Sequence, residues 1–429
     1  MSTSGADAGS PNPDDDVTSA SGKGVGPLAP ADRYDGYRAY SYLEAGRDFK
    51  DYRFPPQLGR VPPYQGLGLT QKQEERTRRL LTESIVISLH DHPTLIPEDP
   101  RELIDMERSG RERLGYEGLA CSGVTAFFDN FMDGTSCVTS LAGWKWTDIV
   151  ADLGMRLCDI AQQDFVLHAT CLDHIYEAHR TGRIALVAAQ EASTMIENEL
   201  DRIEILYGFG VRLMGITYYH ADMLGSGLSE TRDGGLTQFG RAAVRRMNQI
   251  GMAIDVSHCG DVTAMEVIEL SSVPVLITHT GSREVWPYSP LTPDSVTKAC
   301  VERGGLVGIV ASPDLALSPK RSRHDLHAVM DHFTHIADVV GLENVGFGPD
   351  TMFGDTLALH EVFVEDLIGR HPETSKRYEE LPYVDGQENP AECFWNIVGW
   401  LVSHSYSDDE IRAVIGGNAL RVLDQIWKK

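Results

Sequence analysis

"GRAAVRRMNQIGMAIDVSH", residues 240–258, carries two periodicities in succession. In 240–250 the apolar residues Ala243, Val244, Met247 and Ile250 recur at the three-and-four spacing of a helix face, with arginines between them. Residues 252–258 are a short, nearly continuous apolar run that ends in His258. Helix followed by a strand with no polar face is the unit of a parallel sheet covered on both sides.

The same unit repeats outward in both directions. Strand-like runs occupy 85–90, 123–128, 184–191, 211–217, 252–258, 273–279, 305–311 and 345–350, separated by helical stretches such as 327–341. Eight such units in about 270 residues predict a (β/α)8 TIM barrel, whose usual size is about 250 residues; an open doubly wound sheet is the alternative. No tandem sequence repeat accompanies the pattern. Residues 1–30, rich in Ser, Gly, Asp and Pro, read as a disordered tail, and 31–83 as an N-terminal arm that includes a helix at 70–83. The barrel domain is then expected over 84–429. The closing "GGNALRVLDQIW" reads as a helix docked on the barrel, and "GLGLTQ" and "GSGLSE" as turns without a phosphate-binding pattern.

Composition narrows the function. The chain has 429 residues, 42% of them hydrophobic, and a formal net charge of −25, which argues against a nucleic-acid partner. Seven scattered cysteines without a Cys-x-x-Cys motif predict free thiols in a reducing compartment. No run approaches the roughly 20 apolar residues of a membrane span, and no signal-peptide pattern follows Met1. The expectation is a cytoplasmic protein without a membrane partner.

Barrel chemistry sits at the C-terminal ends of strands, and here those ends are unusually polar. "SIVISLHDH" (84–92) closes in His90 and His92; the later runs reach Glu191, Tyr218, His258, His279 and Asp350. Imidazole and carboxylate without thiolate suit Zn²⁺ or a similar divalent ion. Four histidines and two carboxylates exceed one catalytic site and match two metals sharing a carboxylate.

These residues, in this order, resemble the renal-type membrane dipeptidase family of metallopeptidases among the amidohydrolase-like barrels. The likeness runs through "HDH" (90–92), "QEAS" (190–193), "GITYY" (215–219), "LTQFGRAAVRRMNQIGMAIDVSHCG" (236–260), "VLITHTGSREV" (275–285), "DHFTHIADVVGLENVGFGPD" (331–350), "YVDGQENP" (383–390) and "DDEIRAVIGGNALRVL" (408–423). The resemblance implies a binuclear zinc site with Glu191 bridging, His90 and His92 on one metal, and His258 and His279 on the other. It implies that Asp350 accepts and returns the proton of a metal-bridging hydroxide, beside the first metal, and that Tyr218 stands where mammalian members have a histidine polarising the scissile carbonyl. It also implies a dipeptide-like substrate and a homodimer.

Four departures qualify that picture. The family's His-x-Asp is His-x-His here, so His92 replaces a carboxylate. Thr194 stands where mammalian members carry a histidine, and Met352 replaces a second Asp after the last strand. The segment 286–294, "WPYSPLTPD", lacks the arginine that grips a dipeptide's carboxylate, leaving Arg283 as the nearest replacement. Phe127, Phe128, Phe131 and Trp286 are candidates to line an apolar substrate pocket. His324, His327, His332 and His335 share helical spacing but read as ordinary helix residues. His220 and Asp222 read as loop residues, and Cys259 as packing. The leading function is metal-dependent amide hydrolysis. Two others stand beside it: the same barrel acting on another amide, a lactam, a lactone or a carboxylate to be decarboxylated, and a metal-binding protein without turnover.

Overall fold

The computed structural model describes residues 28–54, 64–131, 145–313, 315–356, 358–359 and 384–427. The expected tail lies almost wholly outside them, as do Cys137 and part of the arm. The described part of the arm is ordered against the body. The Tyr37 hydroxyl donates to Asp159 at 2.7 Å and the buried Tyr40 hydroxyl to the Gly110 carbonyl at 3.0 Å. The expected helix forms over Gln71–Glu83, opened by a capping box of Thr70 with Gln73.

Among the described residues nine parallel strands follow: β1 (Ile87–Asp91), β2 (Ala126–Asn130), β3 (Val166–His168), β4 (Ile184–Gln190), β5 (Leu213–Gly215), β6 (Ala253–Asp255), β7 (Leu276–Thr280), β8 (Leu306–Ile309) and β9 (Val345–Phe347). Eight of them close a ring, β1-β2-β4-β5-β6-β7-β8-β9, through the β2–β4 and β1–β9 pairings. Closure excludes the open-sheet alternative. The extra strand, β3, had no counterpart among the apolar runs. It pairs with Ile184–Leu186 at the start of β4, while β5 takes Ala189 and Gln190 further along. Since β2 also pairs with β4 from Ala185 to Asn130's partner Ala189, β3 and β5 share β4's other edge in succession.

Alternation along the strands divides the core in two. Ile87, Leu89, Ala126, Phe128, Val187, Leu213, Ala253, Leu276 and Leu306 form an inner cluster. Residues one step out of phase, among them Phe127, Leu186, Met214, Ile254, Ile277 and Val307, pack outward with Val244, Met247, Val267 and Phe333 of the surrounding helices. The helix Gln238–Ile250 begins with Thr237 accepting from the Gly240 amide and ends at Gly251, whose φ of 83° is a left-handed cap that favours glycine. The C-terminal helix Asn418–Ile426 does more than dock on the side. Its Val422, Leu423 and Ile426, with Trp427, join the inner cluster and close the mouth from which the strands start.

The strands are shorter than the apolar runs that predicted them. β6 ends at Asp255, and Val256–Cys259 form a turn, with the Cys259 amide donating to the Val256 carbonyl at 3.1 Å. His258 therefore sits beyond the sheet, on a turn that swings its ring over the open mouth.

Candidate active site

All six residues expected to bind metal converge at that mouth. Three overlapping clusters have ligand atoms within 4.8 Å of one another: His90, His92 and Glu191; His90, His279 and Asp350; and Glu191, His258 and His279. His258 Nε2 lies 2.7 Å from Glu191 Oε1 and 2.8 Å from His279 Nε2. Asp350 Oδ1 lies 3.5 Å from His90 Nε2 and 3.4 Å from His92 Nε2, which are themselves 3.2 Å apart. All but Asp350 are buried.

The backbone is shaped for this convergence. Asp350 has φ 61°, a left-handed conformation that costs a non-glycine residue about 1 kcal/mol or more. Its amide donates to the His90 carbonyl at 3.1 Å, and the His92 amide to the Thr351 carbonyl at 3.1 Å, so the chain after β9 continues alongside the end of β1. Asp91, between the two histidines, is a clasp. It accepts from the Thr351 amide at 3.0 Å and hydroxyl at 2.9 Å, and from Ser88, while burial pushes its carboxyl up to about 6. A Cβ at Gly215 would sit 1.8 Å from the Glu191 carbonyl oxygen, so only glycine lets β5 approach the end of β4 this closely.

The electrostatics favour a cation. Burial opposes charge on Glu191, but hydrogen bonding and charge from His258, with His90 and His92, outweigh it and hold the carboxyl well below its usual range. Burial likewise opposes charge on Asp350, and His90 and His92 again win. Burial, with repulsion from His90 and His258, keeps the His279 imidazole neutral. Ionised carboxylates and an imidazole held neutral, facing one small volume, are the donor set of a hard or borderline divalent ion. The residues fit the metals that the resemblance implies.

Several supporting residues were not visible as candidates beforehand. His279 Nδ1 lies 2.9 Å from the Thr278 hydroxyl, which donates to Asp255 at 2.6 Å; Ser257 also donates to Asp255, at 2.6 Å. Such partners fix a ligand's ring and tautomer. Asp255 stood in plain view in "AIDVSH", but its role depends on β6 and β7 being neighbours.

The remaining candidates fall in different places. The Tyr218 ring lies tilted against His258 at 4.3 Å between centroids, with Tyr219 at 4.7 Å from Tyr218. Phe127 points to the helix layer, not the pocket, because it is out of phase with the inner residues of β2. Phe128 meets Trp427 at the closed mouth, and Phe131 lies under Arg156. Trp286 packs with Leu291, Val310, Leu315 and Leu317 in a separate cluster. Arg283 is held bidentately by Asp261 at 2.7 and 3.1 Å, and also donates to the Leu291 and Ser289 carbonyls. Thr194 donates to Asp222, which caps the Leu224 and Gly225 amides. His332 accepts from the Ser282 amide and donates to the Leu317 carbonyl, a structural tie, and His335 faces Asp294 at 3.0 Å. The Cys259 thiol is pushed up to about 12 by burial, and all six described cysteines are free.

The fold and the cluster define a barrel whose open mouth carries a histidine–carboxylate cluster able to hold a metal ion. The membrane dipeptidase family, peptidase family M19, matches residues 74–362, and this chain belongs to it. It is 30% identical over 258 residues to Dipeptidase verJ of Clonostachys rogersoniana, covering 59% of this chain and 58% of that relative's length. It shares its fold with an amidohydrolase from Pseudomonas aeruginosa (TM-score 0.66, 23% identity, 82% of this chain and 99% of that one). It also shares it with a metallopeptidase from Rhodobacter sphaeroides liganded with a phosphinate mimic of the dipeptide L-Ala-D-Ala (TM-score 0.60, 17% identity, 80% and 100% covered). No helix among the described residues is long and apolar enough to cross a membrane.

Proposed function

We propose that this chain is a binuclear metal-dependent amide hydrolase acting on dipeptide-like substrates, with residues 84–429 as the catalytic unit and 31–83 as its arm. The observation that carries the reading is the sharing of Glu191 between two donor clusters, one with His90 and His92 and the other with His258 and His279. A carboxylate common to two ligand sets is what a two-metal centre requires. Zinc suits the imidazole-rich set best.

Two bound divalent ions would supply Lewis acidity, polarising the scissile carbonyl and acidifying the attacking water. The chain's own groups supply the rest. Asp350, ionised and at the edge of the cluster, takes the proton of the attacking water and returns it to the leaving amine. Tyr218, beside His258, offers its hydroxyl to the oxyanion.

The substrate's carboxylate end is where this chain departs from the pattern that the family resemblance implies. Segment 286–294 has no arginine, and the Arg283 guanidinium is engaged by Asp261 and two carbonyls. A desolvated, uncompensated carboxylate costs several kcal/mol. Substrates uncharged at that end are therefore favoured over free dipeptides. The test is metal analysis of the purified protein, then hydrolysis of dipeptides and their C-terminal amides. Full activity in a rigorously metal-free preparation would refute the reading.

A further inference from the structure

Asn130 closes β2 and touches both histidines of the first motif. Its Nδ2 lies 2.9 Å from His90 Nδ1, and its backbone carbonyl accepts from His92 Nδ1 at 3.2 Å. The preceding residue, Asp129, is held by the buried Arg156, whose Nη1 lies 2.7 Å from Glu112 Oε2. The strand end is thus pinned from the side opposite the histidines.

An imidazole ligates through Nε2 only when its proton resides on Nδ1, and the partner of Nδ1 selects that tautomer. For His92 the partner is a carbonyl, which can only accept. The proton is therefore fixed on Nδ1, and the Nε2 lone pair faces His90 and Asp350. For His90 the partner is a carboxamide, which donates through one edge and accepts through the other. Nδ2 faces the ring, while Oδ1 is buried without a hydrogen-bond partner. A half-turn of the amide exchanges the two, so that Oδ1 receives the Nδ1 proton and frees Nε2 to ligate.

We propose that Asn130 is the positioning residue of the first half of the metal centre, its carbonyl setting His92 and its carboxamide setting His90 for ligation through Nε2. The inference rests on the metal reading above. It also explains how a histidine serves at position 92 in place of a carboxylate: the last carbonyl of β2 is placed to take the proton that such a ligand must carry.

The experiment is Zn²⁺ titration of the full chain against a chromophoric chelator, for the wild type, Asn130→Leu and Asn130→Asp. It is joined by ¹⁵N-histidine spectra of the zinc-loaded wild type, with His90 identified by its loss in His90→Gln. Asn130→Leu is expected to bind zinc about 10–100-fold more weakly, and Asn130→Asp, whose carboxylate accepts the same proton, to stay within about 3-fold of the wild type or bind more tightly. In the loaded wild type the His90 proton is expected on Nδ1. Equal affinity in Asn130→Leu, or a His90 proton on Nε2, overturns the inference and leaves the metal reading standing. A wild type that binds no zinc overturns both. The spectra need only the wild type and His90→Gln, so the test holds even where the leucine variant fails to fold.

Discussion

The two mouths of the barrel are built by the same strands and are opposite in chemistry. Where the strands start, Ile87, Leu213, Ala253 and Leu306 meet Val422, Leu423, Ile426 and Trp427 of the C-terminal helix, and the interior is sealed with apolar side chains. Where they end, the inward positions become Asn130, Glu191, Asp255 and Thr278, joined by four imidazoles from strand ends and turns. The difference shows how one barrel separates its tasks. The apolar end supplies burial, and the polar end collects ionisable groups whose mutual proximity opposes folding unless a cation or proton lies among them.

That division can be broken experimentally from either side. The largest effect is expected at the polar mouth. Glu191→Gln should lose metal and activity together, by at least about 10²-fold in kcat/KM, because a neutral amide cannot bridge two cations. Metal content and turnover measured on one preparation decide it, and a variant that holds two metals and works normally would remove the bridge. Asp350→Asn should lower kcat by about 10²–10⁴-fold while most of the metal at Glu191, His258 and His279 stays bound, since it removes the proton carrier and not those ligands.

The apolar mouth should answer in stability alone. Leu423→Ala is expected to destabilise the fold by about 2–5 kcal/mol, read from urea unfolding of the protein, because it opens a cavity in a fully buried cluster. Its kcat/KM below the melting temperature should match the wild type. A matching loss of activity would mean that the plug and the metal centre are coupled, and the separation would fail.

Smaller effects are expected at the substrate end. A dipeptide should be a poorer substrate than its C-terminal amide; a preference of about 100-fold or more for the free acid, roughly 2.7 kcal/mol, would reveal a carboxylate-binding group elsewhere. Smallest of all, Arg283→Met should change kcat/KM for either substrate by less than about 3-fold, since the guanidinium is tied to Asp261. A larger loss confined to the free acid would return Arg283 to the site.

The barrel and the polar residues at its open mouth were legible because both are written locally. A strand buried on both faces must be apolar along its length, so eight such runs announce eight ring strands, and the histidines and carboxylates that end those runs are brought to the rim of one mouth. β3 escaped because its apolar stretch, 165–167, is broken off after three residues by His168. Phe127 was misplaced for a related reason: position near a strand end does not say which side of the wall a side chain takes, and one residue of phase sends it outward.

What the sequence determined by itself was therefore the fold class, the six histidines and carboxylates that converge at the open mouth, and the absence of an arginine in 286–294, since each is a property of residue type and order. What only the tertiary structure decided was partnership. Asn130 meets His90 and His92 because β1 and β2 are neighbours in the ring, Asp255 meets Thr278 because β6 lies beside β7, and Arg283 meets Asp261 because the loop after β7 folds against the start of the helix Asp261–Leu270. Hydrogen bonds act over about 3 Å between groups that lie tens of residues apart in the chain, and register, not composition, sets which of them meet.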